Sequence, residues 1–230
     1  MFIIKLYTSG VALTGTICSI IMRKLIIGFL LLATGFCCKA QKITAVSLRS
    51  SANFIGSVEV VSGNAVIVVS GNGKVGVYPA NDGQIAYGTA SDREYIRGKI
   101  ISIGSTQVDY YDNFDGSDKA GKLKSVGEIA IAYIDKYDGP DNTGKVKAVG
   151  NIAFKYNDRY DGLDNNGKLK MAGSLTISYY DRYDGSENTG KVKAIGQTTI
   201  TYYDRFDGSE NTGQIKAISG LNPGVEILVD

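Results

Sequence analysis

The sequence predicts an all-β protein: a tandem β-hairpin repeat array, elongated as a meander or solenoid-like sheet, with an N-terminal β cap. Three observations predict it. Glycine recurs every 23 residues at Gly98, Gly121, Gly144, Gly167, Gly190 and Gly213, the fixed self-similarity of a repeat architecture. Between these glycines apolar side chains alternate with small or polar ones, the period of a strand. Helical periodicity is absent throughout.

Taken from the N-terminus, the first element is a leader. Met22-Arg23-Lys24 opens a basic stretch, an apolar run follows over residues 25–32, and Cys38-Lys39-Ala40 ends it. That order marks residues 22–40 as a secretory signal peptide cleaved before Gln41. The run is shorter than the roughly 20 apolar residues of a membrane span, so no span is expected in the processed chain. A second apolar stretch precedes the leader, so Met22 reads as the true initiator and residues 1–21 as an extension from a misplaced start. Phe36 stands before Cys37 where acyl-anchor signals place a small residue, which argues against lipidation. The expected location is outside a bacterial cytoplasm: secreted, periplasmic or on the cell surface.

Cleavage strips the chain of chemistry. All three cysteines, Cys18, Cys37 and Cys38, precede Gln41, and the sequence has no histidine and no tryptophan. Disulfides, Cys-His nucleophiles, histidine acid–base catalysis and His or Cys zinc sites are thereby excluded from the mature protein. Of 25 basic residues the leader and extension carry Lys5, Arg23, Lys24 and Lys39, leaving 21 against 23 acids. A near-neutral chain lacks the basic excess that phosphate-backbone binding needs, so no nucleic-acid partner is expected.

Residues 41–97 form the expected cap. Valine-rich pieces at 57–61, 65–70 and 74–78 are separated by Ser62-Gly63-Asn64 and Gly71-Asn72-Gly73, and Asn81-Asp82-Gly83 precedes a short strand at 84–87. The piece at 74–78 reads as a decayed repeat unit, and a stacked array needs such a capping end. With no linker composition between the halves, one continuous sheet system is expected.

Residues 98–230 hold five 23-residue repeats and a C-terminal partial repeat. In each, a strand carries alternate apolar residues: Ile129, Ile131 and Tyr133; Ile152, Phe154 and Tyr156; Leu175, Ile177 and Tyr179; Thr198, Ile200 and Tyr202. These define one buried face, with small and polar residues opposite. A shorter piece, 191–195 in one unit, ends at a glycine that recurs at Gly104, Gly127, Gly150, Gly173 and Gly196. A glycine opening a two-residue turn gives a hairpin, the expected form, whereas a glycine bulge in one long strand is the alternative. A last strand is expected near 225–229. The loop between strands, 181–190 in one unit, is the least variable part of the repeat, and its Asp and Asn side chains suit bonds to nearby amides.

The spacing Tyr183-Asp184-Gly185 to Gly190-Lys191 resembles a MORN repeat, and the run Ile-x-Tyr-x-Asp followed by Gly-Lys resembles the YD repeats of secreted bacterial shell proteins. The first resemblance implies an elongated hairpin sheet used as scaffold or interaction surface. The chain departs from it at Asp141, Asp164, Glu187 and Glu210, where MORN units place an aromatic, and from the second in the loop inserted between the Tyr-Asp and Gly-Lys pairs.

Three acids per loop form the candidate metal site: Asp135, Asp138 and Asp141; Asp158, Asp161 and Asp164; Asp181, Asp184 and Glu187; Asp204, Asp207 and Glu210. Hard oxygens at this density are candidate calcium ligands, although the spacing is not that of an EF-hand. The competing reading is structural: the same acids close turns and neutralise the lysines of their own unit. A tyrosine ladder, Tyr110, Tyr133, Tyr156, Tyr179 and Tyr202, shares the parity of the buried isoleucines and is expected in the core. A second row, Phe114, Tyr137, Tyr160, Tyr183 and Phe206, lies in the loops as a candidate exposed contact surface. Paired carboxylates copied in every unit do not look like one asymmetric catalytic centre. The expectation is a non-enzymatic structural or interaction protein with a protein or glycan partner, the alternative a calcium-dependent binding module.

Overall fold

The computed structural model describes residues 41–49 and 54–229, and the readings of the extension and signal peptide lie outside them. Two sheets account for every strand. In the first, β1 (Ile43–Arg49), β2 (Phe54–Ser62), β3 (Ala65–Ser70) and β4 (Val75–Pro79) follow as antiparallel neighbours, and the C-terminal β17 (Glu226–Val229) adds parallel to β1, giving the order β17-β1-β2-β3-β4. The second is a 12-stranded antiparallel meander in chain order. It runs through β5 (Ile85–Tyr87), β6 (Ile100–Ile103), β7 (Thr106–Tyr110), β8 (Leu123–Val126), β9 (Ile129–Tyr133) and β10 (Val146–Val149). It continues through β11 (Ile152–Tyr156), β12 (Leu169–Ala172), β13 (Leu175–Tyr179), β14 (Val192–Ile195), β15 (Thr198–Tyr202) and β16 (Ile215–Ser219).

The expected hairpin is present, and bulges occur as well, at the opposite ends of the strands. Two-residue turns join Ile103 to Thr106, Val126 to Ile129 and their successors, each opened by a glycine, and Gly104, Gly150 and Gly196 there have φ of 56°, 56° and 55°. A residue without a Cβ takes that left-handed conformation without strain. At the long-loop end, Asp109 pairs with Ser125 and Tyr110 with Leu123, so Lys124 is the extra residue of a bulge. Lys147, Lys170, Lys193 and Lys216 occupy the same place in the later units.

The sheet system differs from expectation in one respect: it is two layers rather than one continuous sheet. The meander buries one face, on which Ile131, Val149, Leu169, Ile195 and Ile200 are almost fully covered, and Val46, Leu48, Val58, Val60, Ile67 and Val69 of the five-stranded sheet join the same core. An isoleucine-rich face left bare would forfeit roughly 1.5–3 kcal/mol per large side chain, so a second layer is its natural partner. Polar bonds fix the layers at three places. Gln41 Oε1 accepts from Asn151 N at 2.9 Å, the Gly73 carbonyl from Val146 N at 3.0 Å, and Asn222 Oδ1 from Gln197 N at 2.8 Å.

Residues 74–78 accordingly supply β4 to the covering sheet instead of a decayed repeat. The decayed unit is the next segment. Ile85 and Tyr87 stand 23 residues before Val108 and Tyr110, and Thr89 donates through N and Oγ1 to Asp92, repeating the Asp112 to Asp115 contact with threonine in place of aspartate. The repeat sheet therefore starts ahead of Gly98. Among the described residues no helix is long and apolar enough to cross a membrane.

Candidate binding surface

Each long loop is closed by its first two acids. In the loop after β9, Asp135 Oδ1 accepts from Tyr137 N at 2.8 Å and Asp138 N at 3.0 Å, while Asp138 Oδ2 accepts from Asp135 N at 3.2 Å. This reciprocal closure is an Asx turn that satisfies backbone donors no strand can reach. It recurs as Asp158 with Asp161, Asp181 with Asp184, and Asp204 with Asp207.

The bulge lysine then completes the second acid. Lys147 Nζ lies 2.5 Å from Asp138, Lys193 Nζ 2.7 Å from Asp184 and Lys216 Nζ 2.5 Å from Asp207, and Lys170 pairs in the same way with Asp161. The lysine hydrogen bond, followed by the backbone N–H of the first acid, holds Asp138, Asp161, Asp184 and Asp207 below the ordinary carboxylate range. The third acid turns to the next loop. Asp141 binds Arg159, Asp164 binds Arg182 at 3.0 Å, and Glu187 binds Arg205 at 3.4 Å. Arg159, through its guanidinium and its backbone N–H, pulls Asp141 down to about 2. Glu210 has no following loop and makes no ion pair among the described residues.

The three acids of a loop are thus brought together by sequence and divided by function: turn closure, bulge pairing and a link to the neighbour. Among the described residues no three acidic, histidine or cysteine side chains converge as a metal-binding group. The arginine link leaves no sign in the sequence, because its partners sit 18 residues apart, short of one repeat.

The tyrosine ladder is in the core as expected for Tyr133, Tyr156, Tyr179 and Tyr202, while Tyr110 at its start is half-buried. Tyr133, Tyr179 and Tyr202 are buried, and their hydroxyls donate to the carbonyls of Leu123, Leu169 and Val192 at 2.9, 2.7 and 3.0 Å. Burial raises all three above the ordinary tyrosine range. Over each ring stands the first lysine of a unit, Lys122, Lys168 or Lys191, whose Nζ also donates to the glycine carbonyl that opens the next unit. Burial lowers Lys99, Lys145, Lys168 and Lys191 from the usual lysine value. The sequence places these lysines as counter-ions of the acids, whereas in the structure they stitch units together, and among the described residues none of them makes an ion pair.

What remains turned to solvent is the loop aromatic row. Phe114 is 99% exposed, Tyr137 85%, Tyr160 90%, Tyr183 90% and Phe206 83%. None of these rings fills a core, yet the backbone N–H of every one is held at 2.8 Å by the turn-closing aspartate two residues earlier. Cations stand beside two of them, Lys136 Nζ 5.0 Å from the Tyr137 ring and the Arg205 guanidinium 4.9 Å from Phe206. A groove of about 1010 Å³ lies along this margin, lined by Tyr160, Pro140, Arg159, Lys155, Met171 and Thr176 among others. A second, of about 430 Å³, lies beside Leu163, Arg182 and Tyr183 one unit on.

Such a margin offers apolar rings, cations and mostly paired acids at regular intervals. No protein-family model, curated protein or solved structure matches this chain.

Proposed function

We propose that the chain is a secreted or cell-envelope interaction protein that binds an extended partner, glycan or protein, through its loop aromatic row, without catalysis. The observation that carries this reading is the exposure of Phe114, Tyr137, Tyr160, Tyr183 and Phe206, one per unit, each on a turn closed by its own aspartate. Large aromatics fully in water contribute nothing to folding, whereas rings with fixed backbones lose little entropy on binding. Strands about 4.8 Å apart put equivalent rings of a two-strand unit about 10 Å apart, a spacing that suits a partner with a repeat of its own. Individually weak contacts then add as avidity.

The test replaces all five aromatics by alanine and measures retention on purified envelope polysaccharide and on envelope protein fractions, with the melting temperature followed in parallel. Loss of retention at unchanged melting supports the reading. Undiminished retention by the five-alanine protein contradicts it. Adding millimolar calcium or a chelator to the same assay separates this reading from a calcium-dependent one.

A further inference from the structure

The first lysines of the units are not equivalent. Lys145, Lys168 and Lys191 each have two acceptors: the next unit's glycine carbonyl, and the Oδ1 of an asparagine three residues earlier, Asn142, Asn165 or Asn188, at 2.8 to 2.9 Å. In the two preceding units that asparagine position holds Ile96 and Lys119. Among the described residues Lys99 keeps only the Gly121 carbonyl, at 2.6 Å, and Lys122 only that of Gly144, at 3.3 Å, each with its Nζ over a tyrosine ring, 4.8 and 4.9 Å from the centroid. An ammonium group has three donors, so each of these lysines has donors left for water or a ligand.

These two lysines border the same cavity. The turn before β4 lies on Lys145, where a Cβ on Gly73 would come within 2.5 Å of the lysine stem, so that lysine is covered. Beyond it the covering sheet ends at β4, whose outer edge carries no further strand among the described residues. Between that edge and the meander a groove of about 380 Å³ is lined by Lys74, Lys99, Lys122, Gly76, Tyr110 and Tyr133 among others, and no acid lines it. Gly76 on that edge has the Tyr78 ring against it, where a Cβ would come within 3.2 Å of the ring.

We propose that this groove is a binding site for an oxyanion, the carboxylate, sulfate or phosphate of a small ligand, held by Lys122, with Lys99 one unit away and Lys74 at the rim adding positive charge. A charge-assisted bond from the part-buried Lys122 ammonium supplies the affinity, and the free edge of β4 presents amides to the remainder of the ligand. The site is separate from the aromatic row, so the two readings stand or fall independently.

Calorimetric titration of the protein with sodium sulfate, glucuronate and glucose at constant ionic strength tests it. Saturable binding of sulfate together with glucuronate identifies a free-anion site, and of glucuronate alone a sugar-borne one; either supports the proposal. Lys119→Asn would give Lys122 the acceptor its later counterparts have, and should weaken binding about tenfold, as loss of one charged hydrogen bond does. Lys119→Met, which removes the same charge without adding the acceptor, should weaken it less, and Lys74→Met should weaken it without altering melting. Equal binding of glucose, no saturable binding of either anion, or affinity indifferent to Lys119→Asn and Lys74→Met overturns the proposal.

Discussion

At the scale of single residues, the acids of one loop look alike in sequence and do unlike work. Asp181 accepts from two backbone N–H groups, Tyr183 N at 2.8 Å and Asp184 N at 3.2 Å, whereas Glu187 makes one exposed contact with Arg205. Capping bonds of the first kind are worth about 1 kcal/mol, and exposed ion pairs less than about 1 kcal/mol. Urea unfolding should therefore place Asp181→Ala about 1 kcal/mol below wild type and Glu187→Ala within about 0.5 kcal/mol of it. The bulge-lysine pairs add a pH signature. Lysine pairing holds their aspartates below the ordinary carboxylate range in the folded chain, and Arg159 holds Asp141 at about 2. A carboxylate whose folded value is depressed contributes stability that is complete above its unfolded value and is lost as pH falls through the folded one. Melting temperature should hold down to about pH 4 and then decline. Lys147→Met and Lys193→Met together should flatten that decline, and an unchanged acid limb would detach it from these pairs.

At the scale of the element, the strand and the loop of one unit place their aromatics in opposite environments. Tyr179 is 9% exposed with its hydroxyl bonded to Leu169 O, and Tyr183, four residues on, is 90% exposed. Tyr179→Ala should cost about 3 kcal/mol or more, as large-to-small changes in a core do, and Tyr183→Ala less than about 0.5 kcal/mol. Equal losses would mean that the loop ring packs somewhere. This contrast was legible in the sequence, because Tyr179 keeps the parity of Leu175 and Ile177 while Tyr183 falls outside any alternation. The hairpin was legible for a related reason: Gly173 and its equivalents stand where the alternation reverses. The bulge was not, since Lys170 and Lys193 read as ordinary outward residues until the register shows that they have no partner across the strand. Nor was the link from Asp164 to Arg182, which depends on how far one loop reaches towards the next.

At the scale of the whole molecule, the covering sheet makes the array something other than a sum of nearest-neighbour units. The pairing of β1 with β17 joins residues at opposite ends of the described chain, and Asn222 bonds the turn at Gln197 and the carbonyl of Ile195. Such contacts leave no periodic trace, which is why the sequence suggested an end cap where the structure has a second layer. With one shared core, unfolding should be a single cooperative transition. The repeat segment 98–230 expressed alone should self-associate through its bare isoleucine face, and a monomeric, folded segment would show that the second layer is dispensable.

The central claim, that one ring per unit makes a multivalent contact surface, is tested most directly by affinity as a function of the number of rings. Alanine is introduced cumulatively at Phe206, Tyr183, Tyr160, Tyr137 and Phe114, and the dissociation constant for the retained envelope fraction is measured at each step. The account predicts that each substitution weakens binding by a similar factor, whichever ring is removed first, with melting temperature constant. Abolition of binding by one particular ring, with the other four silent, would point to a single site and contradict it.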